Sequence, residues 1–371
     1  MVAQITKSLV GIPSRTVLRK IILNNKRLVA KITDGGSAFT QEEIYSDFER
    51  LYRKYTIINK NLGEYPHERL VLSEIEYQKD PLYGLNQLPN FIRPFAGNFQ
   101  YELKLLKTAL NKHLENTLLL NPRKDYWLKD GLQIYFLMKY VEENYPDMKL
   151  LGTLAKIWGV RSFHAADLTF NEQYNLFYMQ MARTNRDQPL TTSKDSLLKF
   201  NSNIAGKYKA GIGIKYLDNF INSDVVEQTI SEYLSAVQLK TTSSQDFEAL
   251  LKKKTNKNVD WFFEDYLNTR EKADFKIKDV IKTEDSITLT IKNKRSNAFP
   301  VSLFSLDNDS ILTKSWIENI NESKTITIPR NKTNKLRYMA NLPMLGGIRY
   351  GFPAPFLNKA QVARFVHWLK R

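Results

Sequence analysis

The amino-acid sequence predicts an α+β protein with a mostly helical centre and β-structure toward both ends. Two observations carry this. Apolar residues recur at helical spacing from Phe99 to about Asn268, and after Lys272 the pattern changes to period two between turn signals. A third, the pair of β-rich segments between Leu18 and Thr33, adds a small N-terminal sheet portion. At 371 residues the chain exceeds what one hydrophobic core usually serves, so two or three domains are expected.

In order along the chain, residues 18–33 form two strands around a turn at Asn24-Asn25-Lys26. Two strands cannot bury a face alone, so they either extend a sheet formed later or are what remains of an absent N-terminal β-domain. Thr40-Gln-Glu-Glu43 is a capping box opening a helix toward Tyr55. Leu70 to Tyr77 alternates and is expected to be a strand, followed by a loop from Asp80 to Pro89. Phe99, Leu103, Leu106, Leu110, Leu114 and Leu118 share one helix face, and Asn121-Pro122 ends the run. A second helix begins near Asp125.

From Leu150 to about Asn268 the pattern stays helical, with punctuation at Gly159, Asp187-Gln-Pro189, Gly211 and Asn222-Ser223. Gly211-Ile-Gly213 is too short for a nucleotide-binding fingerprint and suits close packing between helices. Segments starting at Phe275, Ile287, Val301 and Thr325 then alternate as strands. Four parts follow: a β-rich remnant at 1–35, a helical domain at 36–272, a small antiparallel β-sandwich at 273–342, and a tail at 343–371 with a short basic helix from Asn358.

Composition excludes several chemistries. With no cysteine there is no disulfide, thiol nucleophile or cysteine-held metal. The net charge of +16 invites phosphate binding, but its densest points, Lys252 to Lys254 and Lys292 to Arg295, are short and fall at helix ends or turns, so nucleic acid is not the favoured partner. Lys7, Arg15, Arg19 and Lys20 interrupt the apolar N-terminus, which is no signal peptide, and no 18-residue apolar run suggests a membrane span. The four histidines, His67, His113, His164 and His367, include no pair at the i, i+4 spacing of a helical metal motif.

Asp125-Tyr-Trp-Leu-Lys-Asp-Gly131, Tyr208-Lys-Ala-Gly211 and Val259-Asp-Trp-Phe-Phe-Glu-Asp-Tyr266 together resemble motifs of the M1 aminopeptidases, a zinc-dependent gluzincin family. The first is similar to that family's D-x-W-L-N-E-G and places Asp130 where the third zinc ligand stands. Counting back at the family's spacing puts Lys107, Thr108 and Asn111 where it has His, Glu and His. The Tyr208 motif resembles the family's Y-E-K-G, whose tyrosine, here Tyr208, donates a hydrogen bond to the oxyanion. Pro81, Gly84 and Asn86 match the remnant of the substrate loop, with Pro81 at the glutamate that would hold a substrate's amino group.

The resemblance implies a thermolysin-like domain followed by a β-sandwich, and a zinc cofactor in the family that is not expected here. Zinc needs about three protein ligands to lower the pKa of a bound water to ~7. Lys107 repels a cation, Asn111 is a poor ligand, and Thr108 is no general base at neutral pH. Such a chain would be a non-catalytic pseudo-peptidase whose cleft binds peptide or a protein partner, with Lys107 filling the metal's place and pairing with Asp130. The alternatives are an active metallopeptidase with a displaced site and a basic anion-binding module. Truncation of a longer protein would have removed any secretion signal, which would place the parent in the cell envelope or periplasm. Oligomeric state is left open.

Overall fold

A computed structural model describes residues 16–23, 26–33, 62–63, 65–67, 69–83, 85, 94–156, 168–221, 223–295, 297, 299–307, 310–329 and 336–341. The chain divides into two compact units, 1–137 with 222–256 and 138–221 with 257–371. The helix expected from Thr40 and the one expected from Asn358 lie outside the described residues.

In the first unit, β1 (Thr16–Leu23) and β2 (Lys26–Thr33) pair antiparallel, and β2 continues parallel to β3 (Arg69–Ser73) in a three-stranded sheet. The hairpin therefore extends a later strand, the arrangement a marginal two-stranded ribbon needs. Residues beyond Ser73 do not continue the strand. Glu74–Lys79 is a short helix, α1. Alternation over so few residues suits either period. The helix is favoured because it brings Glu76 to 2.8 Å from Lys79 and 2.9 Å from Lys112, while burying Tyr77.

α2 (Gly97–Thr117) packs against β3 and is the spine of this unit. Phe99, Leu103, Leu106, Leu110 and Leu114 are all buried, each side chain stabilising by roughly 1.5–3 kcal/mol. The run stops where Leu118 turns extended, and the side chain of Asn121 accepts from the backbone N–H of Arg123. α3 (Tyr126–Asn144) follows. Ahead of it, the buried carboxylate of Asp125 accepts from the N–H and hydroxyl of Ser244 at 3.1 and 2.6 Å. Ser244 opens α7 (Ser244–Lys254), which follows α6 (Ser223–Ala236).

In the second unit, α4 (Glu172–Arg183) packs against α5 (Gly206–Ile221), which begins after a wider helical turn at Asn201–Ala205. Gly211 does not punctuate this helix: α5 runs through it, with Ala210, Ile212 and Ile214 essentially solvent-free on either side. Two residues on, a Cβ at Gly213 would stand 2.2 Å from a ring carbon of Tyr266, so this stretch keeps small residues for close approach. Tyr266 lies on a second wide turn, Trp261–Leu267.

Strands complete the unit. β4 (Phe275–Lys282), β5 (Ser286–Asn293) and β8 (Ser323–Pro329) form one antiparallel sheet, and β7 (Ser310–Ile317), β6 (Val301–Asp307) and β9 (Leu336–Asn341) another. β5 buries Ile287, Leu289 and Ile291 on alternate positions. The hydroxyl of Tyr216 on α5 donates to the carbonyl of Pro300 at 2.6 Å. Its ring and that of Phe220 stand edge-on to Trp316 at 5.3 and 5.2 Å. The chain is thus α+β. Among the described residues no helix is long and apolar enough to cross a membrane.

Candidate functional site

Lys107 sits on the buried face of α2, its ammonium 2.7 Å from Oδ2 of Asp80 and donating also to the Asp80 carbonyl. The ion pair expected with Asp130 is made instead with Asp80, the last residue before Pro81. The reason is local. The loop after α1 is folded back by bonds from the Asp80 N–H to the Tyr77 carbonyl and from the Leu82 N–H to the Tyr77 hydroxyl. Asp80 is thereby held over α2, where a lysine stem lies along apolar surface and delivers its charge.

The other three positions are occupied separately. The Thr108 hydroxyl bonds back to the Lys104 carbonyl at 2.8 Å, a common way for a helical threonine to satisfy itself. The Asn111 amide donates to Glu115 at 3.4 Å. Asp130 is buried on α3, and its Oδ2 accepts no hydrogen bond from the protein. Burial first, then the nearby Asp130 charge, pushes the Tyr126 hydroxyl pKa well up. One turn along α3 the Gln133 amide donates to the Lys107 carbonyl at 3.1 Å, tying the two helices together. Pro81 is exposed, and Gly84 and Asn86 lie outside the described residues.

An ammonium, a hydroxyl, an amide and one carboxylate do not make a zinc donor set, and no reaction step is derived through a metal. Among the described residues no group of three or more His, Asp or Glu could hold a metal ion. His113 is fully buried against the Tyr65 ring, while His67 is exposed.

In the second unit Tyr208 is buried, edge-on to the ring of Tyr174 at 4.9 Å, with Phe177 at 6.2 Å. Its neighbour Lys209 was not singled out by sequence, because its partners are remote in the chain. The Lys209 ammonium donates to the Thr269 carbonyl at 3.1 Å and stands 5.2 Å over the Tyr266 ring, whose hydroxyl returns a bond to the Lys209 carbonyl. Burial drives its pKa down to about 8, with Asp187 opposing and Lys272 assisting. Asp187 pairs with Lys272 at 3.3 Å, and burial first, then the Asp187 charge, pushes the Tyr178 hydroxyl pKa up.

No family model and no curated protein matches the chain. Among solved structures, the Legionella pneumophila aminopeptidase A in complex with aspartic acid superposes with a TM-score of 0.61 at 10% identity, over 92% of this chain and 39% of that one. The fold is similar to that of this aminopeptidase. A mutant M1 zinc metallopeptidase of Deinococcus radiodurans bound to a Tyr-Ser-Ala substrate aligns with 69% of this chain and 52% of its own, at 13% identity and a TM-score of 0.44. The chain therefore spans about two fifths of the aminopeptidase A and half of the metallopeptidase. The likeness to the aminopeptidase A is one of fold. It assigns no chemistry.

Proposed function

We propose that this chain is an M1-peptidase-like protein that binds a peptide or protein partner without cleaving it, the zinc site of the fold having been replaced. One observation carries the reading: Lys107, which the spacing to Asp130 aligns with the first zinc-binding histidine, gives its ammonium to Asp80. A fixed positive charge at that position opposes a divalent cation through direct repulsion, which low local polarity strengthens. Thr108 offers no carboxylate to take a proton from water, and Asn111 is turned to Glu115. Asp130 and Tyr208, aligned with the third ligand and the oxyanion tyrosine, keep chemical competence but have no electrophile to serve.

The test uses the whole chain. Metal content is measured after purification with and without added zinc, and aminoacyl fluorogenic substrates are screened for hydrolysis. The expectation is zinc well below one equivalent and no turnover above a heat-inactivated control. One tightly held equivalent of zinc, or hydrolysis abolished by a chelator, overturns the reading.

A further inference from the structure

Two leucines stand exposed on adjoining segments of the first unit. Leu119, just past the end of α2, is 46% exposed, and Leu239, shortly after the end of α6, is 47% exposed. Backbone bonds lace the segments together: the Leu239 N–H donates to the Thr117 carbonyl at 3.1 Å and the Thr242 N–H to the Leu119 carbonyl at 3.4 Å, while Leu119 and Thr241 pair in a parallel bridge. A single exposed leucine needs no explanation, but two on bonded segments make a patch.

Leu239 adds a second anomaly. Its φ is +57°, in the left-handed region that glycine or asparagine fills at least cost. Strain of this kind persists where the surroundings compensate it or where function requires it. Burial is a poor compensation here, because nearly half of the side chain lies in solvent. The fold thus holds a leucine outward at a position that suits a smaller residue.

The exposed charge of the two segments has one sign. Pro122, Arg123 and Lys124 are exposed on the first, and Lys240, whose ammonium donates to the Ala236 carbonyl at 3.2 Å, on the second. The acid of this stretch, Asp125, is buried and accepts from Ser244. Flanking acids are engaged as well, Glu115 by Lys129 at 3.4 Å and Asp246 by the Ser243 N–H at 2.8 Å. Apolar side chains beside cations complement a layer of anionic headgroups over hydrocarbon, which takes up both at once. We infer that the turns carrying Leu119 and Leu239 are a docking patch for an anionic lipid surface, the leucines entering between headgroups and the cations lying among the phosphates. This surface uses neither Lys107 nor Asp130, and it stands or falls separately from the proposed lack of catalysis.

The chain has no cysteine, so Leu239→Cys in the full chain takes a single environment-sensitive fluorescent label, with Lys253→Cys, exposed in the last turn of α7, as the control. Vesicles of phosphatidylglycerol and phosphatidylcholine in equal parts, or of phosphatidylcholine alone, are added at low salt. The label at 239 should shift to the blue on the anionic vesicles only, and the label at 253 should keep its aqueous spectrum. In co-sedimentation of unlabelled protein, Lys240→Glu should weaken binding to the anionic vesicles by about tenfold or more, and Lys253→Glu, with the same change of net charge, by less than about twofold. Leu239→Asn, which suits the left-handed turn, should weaken it by about threefold or more in a chain that still unfolds cooperatively, separating a lost surface from a lost fold. No binding to the anionic vesicles, equal losses from the two lysine reversals, or a label at 239 that stays aqueous on bound protein overturns the inference. So does a blue shift produced by polyglutamate in place of vesicles, which would make the patch a site for an acidic protein.

Discussion

The ammonium of Lys107 lies 2.7 Å from a carboxylate oxygen of Asp80, joining the middle of α2 to the loop that follows α1. The two are 27 residues apart, and the lysine side chain is only 5% exposed while the aspartate is 31% exposed. Such a pair is asymmetric in its energetics. Removing the acid takes the countercharge from a buried ammonium and leaves it the carbonyl of residue 80, whereas replacing the base by an apolar side chain of similar length removes the charge with its need for a partner.

Asp80→Ala should therefore destabilise by about 2–3 kcal/mol, below the ~3–5 kcal/mol of a fully buried pair because water reaches Asp80. Lys107→Met should cost less than about 1 kcal/mol. Chemical denaturation of the two variants and of the double variant checks this. Equal losses from the two single changes would mean that the pair does not hold the loop in the way its geometry indicates.

The buried amine of Lys209 leads to a pH prediction. Its folded pKa of about 8 lies below the ordinary 10.5, so between these values the unfolded chain binds more protons than the folded one. Stability of the second unit should then rise with pH from about 8 to 10.5, the reverse of what a raised lysine pKa would give. Below pH 8 the charged amine costs up to about 3 kcal/mol, the full worth of such a shift. Lys209→Met should stabilise the second unit at neutral pH and flatten its pH profile. A variant that retains the wild-type slope would place the titration elsewhere.

The N-terminus of α7 carries a capping box. The Ser243 hydroxyl accepts from the Asp246 N–H, and Asp246 accepts from the Ser243 N–H at 2.8 Å and from its hydroxyl at 2.9 Å. These bonds, the backbone one first, hold the Asp246 carboxyl below its usual range. That contribution is present at neutral pH and is lost as acid protonates Asp246. Ser243→Ala should cost about 1 kcal/mol and Ser243→Asp much less, as read by urea denaturation. Equal losses would rule out the side-chain cap.

What the sequence revealed depended on range. α2 was legible from Phe99 to Leu118 because a buried stripe at helical spacing is a local property, and β5 was legible because Ile287, Leu289 and Ile291 alternate. Leu70 to Tyr77 misled because eight residues fit both periods, and Glu76 reaches Lys112 only once the chain has folded. Asp80 was invisible as the partner of Lys107 for the same reason, as were Asp187 and Lys272 around Lys209. Strands β7 and β9 have no counterpart among the strands the sequence predicts. A cavity in the second unit that gathers Phe220, Trp261 and Glu318 draws on segments nearly a hundred residues apart, and no local pattern announces such a meeting.

Gly213 measures how closely α5 meets the Trp261–Leu267 turn. A Cβ there would stand 2.2 and 2.9 Å from two ring atoms of Tyr266 and 3.0 Å from Phe262, far inside ordinary contact. Tyr266 cannot swing away freely, because its hydroxyl is bonded to the Lys209 carbonyl at 2.6 Å and its ring stacks on Phe262 at 5.6 Å. Alanine favours a helix over glycine by about 1 kcal/mol, while overpacking costs roughly 1–3 kcal/mol, more where neighbours are pinned. The clash should win. Gly213→Ala is expected to destabilise the second unit by ~2 kcal/mol, and Tyr266→Leu, by removing the obstructing ring, should recover part of that loss in the double variant. Denaturation of all three variants decides it: additive losses would show that the ring is not what the added methyl meets.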